Sequence, residues 1–216
     1  MSNHNRTSHD FLTFSLQAKV LKFGQFQTKA GRDSPYFFNA GLFNSGALID
    51  QLGAFYADTI QADGPEFDML FGPAYKGIPL VTTAATALAR RHNRDIPIAY
   101  NRKEAKDHGE GGNLVGAPLK GRVIIIDDVI SAGTSIRESA TWIEKAGATL
   151  AGVVIALDRQ ERGTGALSAT QEVEQKLGVP VTAIARLEDL ITLLAQDKAA
   201  TDSLSAIQAY RNRYGA

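Results

Sequence analysis

The segment Val123–Ile126 constrains this chain more than any other. Four consecutive β-branched residues, V-I-I-I, offer no polar face to water. They read as a strand buried on both faces of a parallel sheet. Two acids follow at once, Asp127 and Asp128. Then come Val129, Ile130, Ser131, Ala132, Gly133, Thr134 and Ser135, and a helical stretch over Thr134–Ala146 that stops at Gly147. The same alternation runs through the chain. Strands are expected at Phe67–Phe71, Ile96–Tyr100, Leu150–Leu157 and Val179–Ile184. Helices are expected at Ala47–Ile60, Ile78–Arg90, Glu172–Leu177, Leu187–Ala195 and Thr201–Tyr214. Strands alternating with helices imply an α/β fold with a central, mostly parallel sheet flanked by helices. Ligands bind such sheets beyond the carboxyl ends of the strands.

The N-terminal region reads differently. Phe11–Leu21 has helical spacing. Phe23–Thr28 and Tyr36–Asn39 are short aromatic-rich extended runs around the turn-like Gly31–Pro35. The first ten residues, MSNHNRTSHD, are polar and read as a frayed tail.

At 216 residues the chain suits a single domain. Lys+Arg and Asp+Glu balance at 23 each, so the basic surplus expected of a nucleic-acid binder is missing. No cysteine is present, which rules out disulfides, zinc thiolates and a cysteine nucleophile. No apolar run reaches the roughly 20 residues needed to span a bilayer. No signal-peptide pattern opens the chain, so a cytoplasmic location is the expectation, with neither nucleic acid nor membrane as partner.

The chemistry concentrates at strand ends. After Ile126, backbone N–H groups at a helix start form an anion site. Gly133 and Ala132 permit close approach, and Ser131, Thr134 and Ser135 add hydroxyls. Ser135 and Glu138 have capping-box spacing. Asp127 and Asp128 would repel a bare phosphate but suit sugar hydroxyls or a hydrated Mg²⁺. A ribose 5-phosphate fits both halves. The bland alternative is an ordinary strand-turn-helix junction with two solvated acids. Neither a Walker P-loop nor a G-x-G-x-x-G fingerprint is present. After the Phe67–Phe71 strand, Lys76 stands beside Tyr75 and between Gly72 and Gly77, suited to pyrophosphate oxygens or simply a surface lysine. Arg102–Gly112 gathers Arg102, Lys103, Lys106 and His108 among glycines and acids, a composition that by itself suits a solvated hairpin tip.

VIIIDDVISAGTS resembles the phosphoribosyl-pyrophosphate (PRPP) motif of type I phosphoribosyltransferases. Four further stretches resemble the orotate-specific members, in order: KAGRDSPYFFNAG (Lys29–Gly41), GPAYKGIP (Gly72–Pro79), NRKEAKDHGEGG (Asn101–Gly112) and LDRQERG (Leu157–Gly163). The resemblance implies a type I phosphoribosyltransferase fold over 1–216. Residues 1–45 with part of the C-terminal region would form a small hood, and 46–185 the core sheet. It implies Mg²⁺-dependent transfer of ribose 5-phosphate from PRPP to orotate, giving orotidine 5-phosphate and pyrophosphate in UMP biosynthesis. Mg²⁺ would be held mainly through PRPP, with no metal ligands from the protein assigned.

Residue roles follow from the same resemblance. Asp127 and Asp128 would hold the ribose hydroxyls, and Ser131–Ser135, led in by Val129 and Ile130, would wrap the 5-phosphate. Lys29, Tyr75, Lys76, Arg102, Lys106 and His108 would meet the pyrophosphate. Lys103 would act in the partner's active site of a homodimer. Phe37, Phe38 and Arg159 would read orotate, although Arg159 could instead form a surface ion pair with Glu161. Ser131 stands where threonine is more usual, keeping the hydroxyl and losing a methyl. Two other readings stay open. One is a purine-specific enzyme with the same PRPP site, against which the YFFNAG and LDRQERG stretches count. The other is a non-catalytic PRPP sensor that binds nucleic acid, which should carry a basic surface or an added DNA-binding unit.

Overall fold

The β-branched run sits at the centre of the sheet. In the computed structural model, which describes residues 3–28, 30–106 and 112–216, strand β6 (Arg122–Asp127) has Val123, Ile124, Ile125 and Ile126 entirely buried. Ile124 and Ile126 enter one hydrophobic core, and Val123 and Ile125 enter a second on the opposite face. Each such side chain contributes roughly 1.5–3 kcal/mol by leaving water.

Six strands form the main sheet: β3 (Met69–Gly72), β4 (Ile98–Lys106), β5 (Gly112–Gly116), β6, β7 (Thr149–Asp158) and β8 (Val181–Arg186). Their spatial order is β5-β4-β3-β6-β7-β8. All neighbours are parallel except β4 and β5. Helices α2 (Gly46–Asp63) and α3 (Gly77–His92) feed one core with Leu52, Tyr56, Leu80 and Leu88; α4 (Thr134–Lys145) and α5 (Ala169–Leu177) feed the other with Ile136, Ile143 and Val173. From β3 the chain winds outward through α3 to β4. From β6 it winds the opposite way through α4 and α5 to β7 and β8. The order therefore reverses between β3 and β6, and the carboxyl ends of those two strands flank the switch point.

A separate two-stranded antiparallel sheet, β1 (Leu21–Gln27) with β2 (Asp33–Phe38), packs against α1 (Asn3–Gln17) and the C-terminal α7 (Thr201–Tyr214). Helix α6 (Leu187–Ala195) contacts α1, α7 and β8. Among the described residues, no helix is long and apolar enough to cross a membrane.

Several sequence expectations need correction. The polar start is helical from Asn3, not frayed: Ser8, Phe11, Leu12 and Ser15 form its buried face. Two of those four positions are serines, so hydrophobic spacing misses the stripe. Leu21 belongs to β1 rather than to the helix. Strand β2 begins at Asp33, so the turn is shorter than Gly31–Pro35; Thr28 closes it by accepting the Arg32 N–H on its hydroxyl. Pro35 is tolerated because this small sheet is all edge. Asn101–Lys106 continues β4, and Gly112–Gly116 returns as an antiparallel edge strand. No capping box forms at Ser135: α4 begins after Gly133, and the Ser135 hydroxyl bonds to Asp127 instead.

Candidate active site

The acids at the end of β6 are held from several directions. Asp127 and Asp128 are 7% and 5% exposed. Asp127 Oδ1 accepts the Asp128 N–H at 2.9 Å, and Oδ2 accepts the Ser135 hydroxyl at 3.1 Å. Its carbonyl accepts the buried Tyr56 hydroxyl at 2.7 Å. Burial, then the neighbouring carboxylates, push the Tyr56 phenol well up, so it stays a neutral donor. Burial, then the charge of Asp128, push the Asp127 carboxyl up to about 7. Asp128 Oδ1 accepts the Val129 N–H at 2.9 Å. Its carbonyl accepts the N–H groups of Ala156 and Leu157 at 2.9 and 3.2 Å, so β7 grips the chain one residue past the strand.

Across the switch point lies the loop after β3. Lys76 Nζ donates to Asp128 Oδ2 at 2.7 Å, with its side chain 59% exposed. The Ala74–Tyr75 peptide is cis, and the Ala74 N–H donates to Asn101 Oδ1 at 2.7 Å. Gly72 and Gly77 approach one another where the loop folds back on α3. A Cβ on Gly72 would meet the Gly77 carbonyl oxygen at 2.2 Å, and one on Gly77 would meet Pro73 Cδ at 2.6 Å. Tyr75 is exposed, with Lys103 Nζ 5.1 Å from its ring centre.

The loop from Val129 to Gly133 ends at the start of α4. Ile130 is buried in the second core and anchors it, while Ser131, Ala132, Thr134 and Ser135 are exposed. Gly133 has φ +66°, and a Cβ there would stand 2.8 Å from Val173 Cγ2. Arg137 braces the loop, donating from Nη1 to the Ala132 carbonyl at 2.7 Å and from Nη2 to Thr134 Oγ1 at 3.3 Å.

The fourth cluster lies between β7 and the hairpin. Arg159 is 15% exposed, so it is not a surface group. Its Nε donates to Glu161 Oε1 at 2.7 Å, and Nη2 donates to Ser34 Oγ at 3.2 Å. The guanidinium stands over the Tyr36 ring, 4.4 Å from its centre. Ser34, Tyr36 and Phe38 share the buried face of β2, and Phe38 packs among Phe11 and Phe43. Phe37 is on the opposite face, 39% exposed and stacked on Phe26.

The phosphoribosyl transferase domain family matches residues 41–184. Orotate phosphoribosyltransferases from Cronobacter sakazakii and Neisseria meningitidis are 61% and 64% identical to this chain, each alignment spanning 95% of it and 96% of the relative. The chain belongs to the orotate phosphoribosyltransferase family. A crystal structure of the orotate phosphoribosyltransferase of Francisella tularensis superposes with TM-score 0.86 at 42% identity, covering 96% of this chain and all of the other. An adenine phosphoribosyltransferase from Thermoanaerobacter pseudethanolicus shares the type I fold at TM-score 0.51 and 14% identity, covering 80% of this chain and 99% of its own.

In this orotate phosphoribosyltransferase chain, Lys76, Asp127, Asp128 and Ser131–Ser135 come together at the switch point. Arg159 joins Ser34 and Tyr36, whereas Phe37 projects to the other side of the hairpin and Phe38 into the core. Arg102 and Lys103 lie on β4; the side chain of Lys106 and all of Lys29 and His108 fall outside the described residues. Sequence reading missed Tyr56, Asn101 and Arg137. Arg137 stands three residues after Thr134, a helical neighbour of the loop it braces, and that spacing was the available signal. Among the described residues no three His, Cys, Asp or Glu side chains gather into a metal cage. Two adjacent carboxylates at a ligand-facing strand end still fit Mg²⁺, which commonly takes one or two carboxylates plus substrate phosphates and water.

Proposed function

We propose that the chain transfers ribose 5-phosphate from PRPP to orotate with the β3–β6 switch point as its PRPP site. The reaction itself is that of the orotate phosphoribosyltransferase family. The residue roles rest on one observation above all: Lys76 and Asp128 pair across the two strand ends, so a cation for pyrophosphate and an acceptor for ribose hydroxyls stand side by side.

Asp127 and Asp128 accept the ribose hydroxyls. The loop Ser131–Ser135 takes the 5-phosphate with backbone N–H groups and hydroxyls at the α4 N-terminus. Lys76 exchanges its bond to Asp128 for pyrophosphate oxygens. Asp127 and Asp128 would hold Mg²⁺ jointly with PRPP, and the ion supplies charge neutralisation at the leaving pyrophosphate. Orotate N1 displaces pyrophosphate at C1 of the ribose. As the N1–C1 bond forms and the C1–O bond to pyrophosphate breaks, the N1 proton of orotate leaves to water or to the departing pyrophosphate; the chain supplies position and charge stabilisation. Arg159 presents its planar fork to the orotate carboxylate or a carbonyl. The β1–β2 hairpin with α7 forms a hood over the base. Arg102, Lys106 and His108 bring further cations to the departing pyrophosphate, and Lys103 acts in the partner's site of a homodimer. The enzyme works in the cytoplasm.

A base panel tests this reading. Incubation with PRPP and Mg²⁺ should consume orotate and leave adenine, hypoxanthine and uracil untouched. Turnover of a purine in place of orotate would overturn the assignment. An electrophoretic shift of DNA or RNA without any turnover would favour a PRPP-sensing regulator instead.

A further inference from the structure

Glu161 makes more bonds than a simple counter-ion requires. Its Oε1 accepts Arg159 Nε at 2.7 Å, lies 2.6 Å from Arg159 Nη2, and accepts the Tyr210 hydroxyl at 2.8 Å. Its Oε2 accepts Arg32 Nη1 at 3.4 Å. Arg32 Nη2 also donates to the Arg162 carbonyl at 2.8 Å. The carboxylate is 15% exposed, the same as its arginine. Three parts of the chain therefore meet at one carboxylate: the segment after β7, the turn before β2 and the C-terminal helix through Tyr210; the β2 face joins them through Arg159, which meets Ser34 and Tyr36.

The geometry has a direction. All three bonds to Glu161 and Ser34 use the Nε–Nη2 side of Arg159, and Nη1 makes none of them. The Tyr36 ring covers one face of the guanidinium. A long side chain with several rotatable bonds is thus fixed in its plane and its rotation before any ligand arrives. Preorganisation of this kind removes an ordering cost from binding.

We propose that Glu161 is a positioning residue for base recognition, with Tyr210 as its support from the C-terminal helix. This rests on the reading of Arg159 as the group that meets orotate. Glu161 holds one edge of the guanidinium so that the other edge faces the base. Tyr210 shares the Oε1 atom and keeps the carboxylate from turning away. The C-terminal helix, remote from the PRPP loop in sequence, thereby contributes to choice of base.

The competing possibility has the opposite sign. Glu161 could simply compete with the orotate anion for Arg159, in which case neutralising it would improve orotate binding. Steady-state kinetics of Glu161→Gln, Tyr210→Phe and Arg159→Ala decide between them, with KM measured separately for orotate and PRPP. Glu161→Gln should raise the KM for orotate about tenfold and Tyr210→Phe a few-fold, both leaving the KM for PRPP within about twofold, as loss of one charge-assisted contact predicts. In an Arg159→Ala background, Glu161→Gln should add nothing. A fall in the orotate KM for Glu161→Gln, a parallel rise for both substrates, or an undiminished effect in the Arg159→Ala background would overturn the proposal. Failure of Arg159→Ala to alter the orotate KM would instead overturn the base-recognition reading beneath it. Orotate titration of folded Glu161→Gln, verified by its circular dichroism, keeps the outcome readable if turnover is lost.

Discussion

Lys76 and Asp128, 52 positions apart in sequence, meet at 2.7 Å across the point where the strand order reverses. Neither residue is placed by its own neighbours alone. Lys76 is aimed by a loop folded tightly onto α3, where Gly72 and Gly77 touch. Asp128 is held by Val129 N–H and by the grip of β7 on its carbonyl. The pair joins the two strand ends that the proposed PRPP site spans.

That pair should matter to activity and hardly at all to stability. Lys76 is more than half exposed, and ion pairs of that kind contribute about 0–1 kcal/mol. Lys76→Ala should therefore melt within a few degrees of the parent. Its kcat/KM for PRPP should fall by about 10²-fold, in line with removal of one group that stabilises developing charge. Thermal denaturation and initial-rate kinetics on the same preparation check both halves.

Gly133→Ala should damage fold and function together. The substitution forces an L side chain into positive φ and drives a Cβ to 2.8 Å from Val173. A cost of about 1–3 kcal/mol in unfolding free energy is expected. Urea denaturation measures it, and PRPP titration should show weaker binding because the loop proposed to take the 5-phosphate is displaced. Arg137→Ala, which removes only the brace on Ala132 and Thr134, should weaken PRPP binding with the orotate KM unchanged.

Asp127 gives the unliganded protein a signed pH dependence. Its carboxyl titrates near 7 when folded, against 3.8 for the ordinary group, because it is buried beside Asp128. Between those values the folded state binds more protons than the unfolded state, so stability falls as pH rises. The contribution is complete below about pH 4 and lost above about pH 7. Asp127→Asn cannot titrate and should lack this decline. Melting temperatures of both proteins across pH 4 to 8, compared by difference, isolate the effect. A constant difference would show that Asp127 ionises normally.

Shared active sites predict complementation. Lys103 lies 5.1 Å from its own Tyr75 ring in the single chain, whereas the proposed role places it in the partner's site. Lys103→Ala and Asp128→Ala should each be nearly inactive, and subunit exchange between them should restore activity through one intact site per mixed dimer. No recovery after proven exchange would place Lys103 in its own chain's site.

The alternation of strands and helices, and the acid pair after a β-branched strand, were legible because each is a local pattern. Val123–Ile126 had to be buried, and Asp127 had to follow. The part of α1 before Phe11 was hidden because half the helix's buried face is serine. The helix begins at Thr134 as expected, but Ser135 was misread as its cap because spacing does not fix the cap; Gly133, in the left-handed region, holds that position two residues earlier. The surroundings of Arg159 were least legible. Glu161 stood nearby in sequence, but it also bonds Tyr210 and Arg32, which arrive from distant segments. Two neighbouring phenylalanines could not show which faces the core; β2 turns Phe38 inward and Phe37 outward.

The most direct test follows orotate consumption and pyrophosphate release together, with PRPP and Mg²⁺, for the parent chain and for Asp128→Asn. The parent should release one pyrophosphate for each orotate consumed, and Asp128→Asn should lose most of that turnover while remaining folded. Pyrophosphate release without orotate consumption, or full turnover by Asp128→Asn, would contradict a PRPP site built on the β3–β6 switch point.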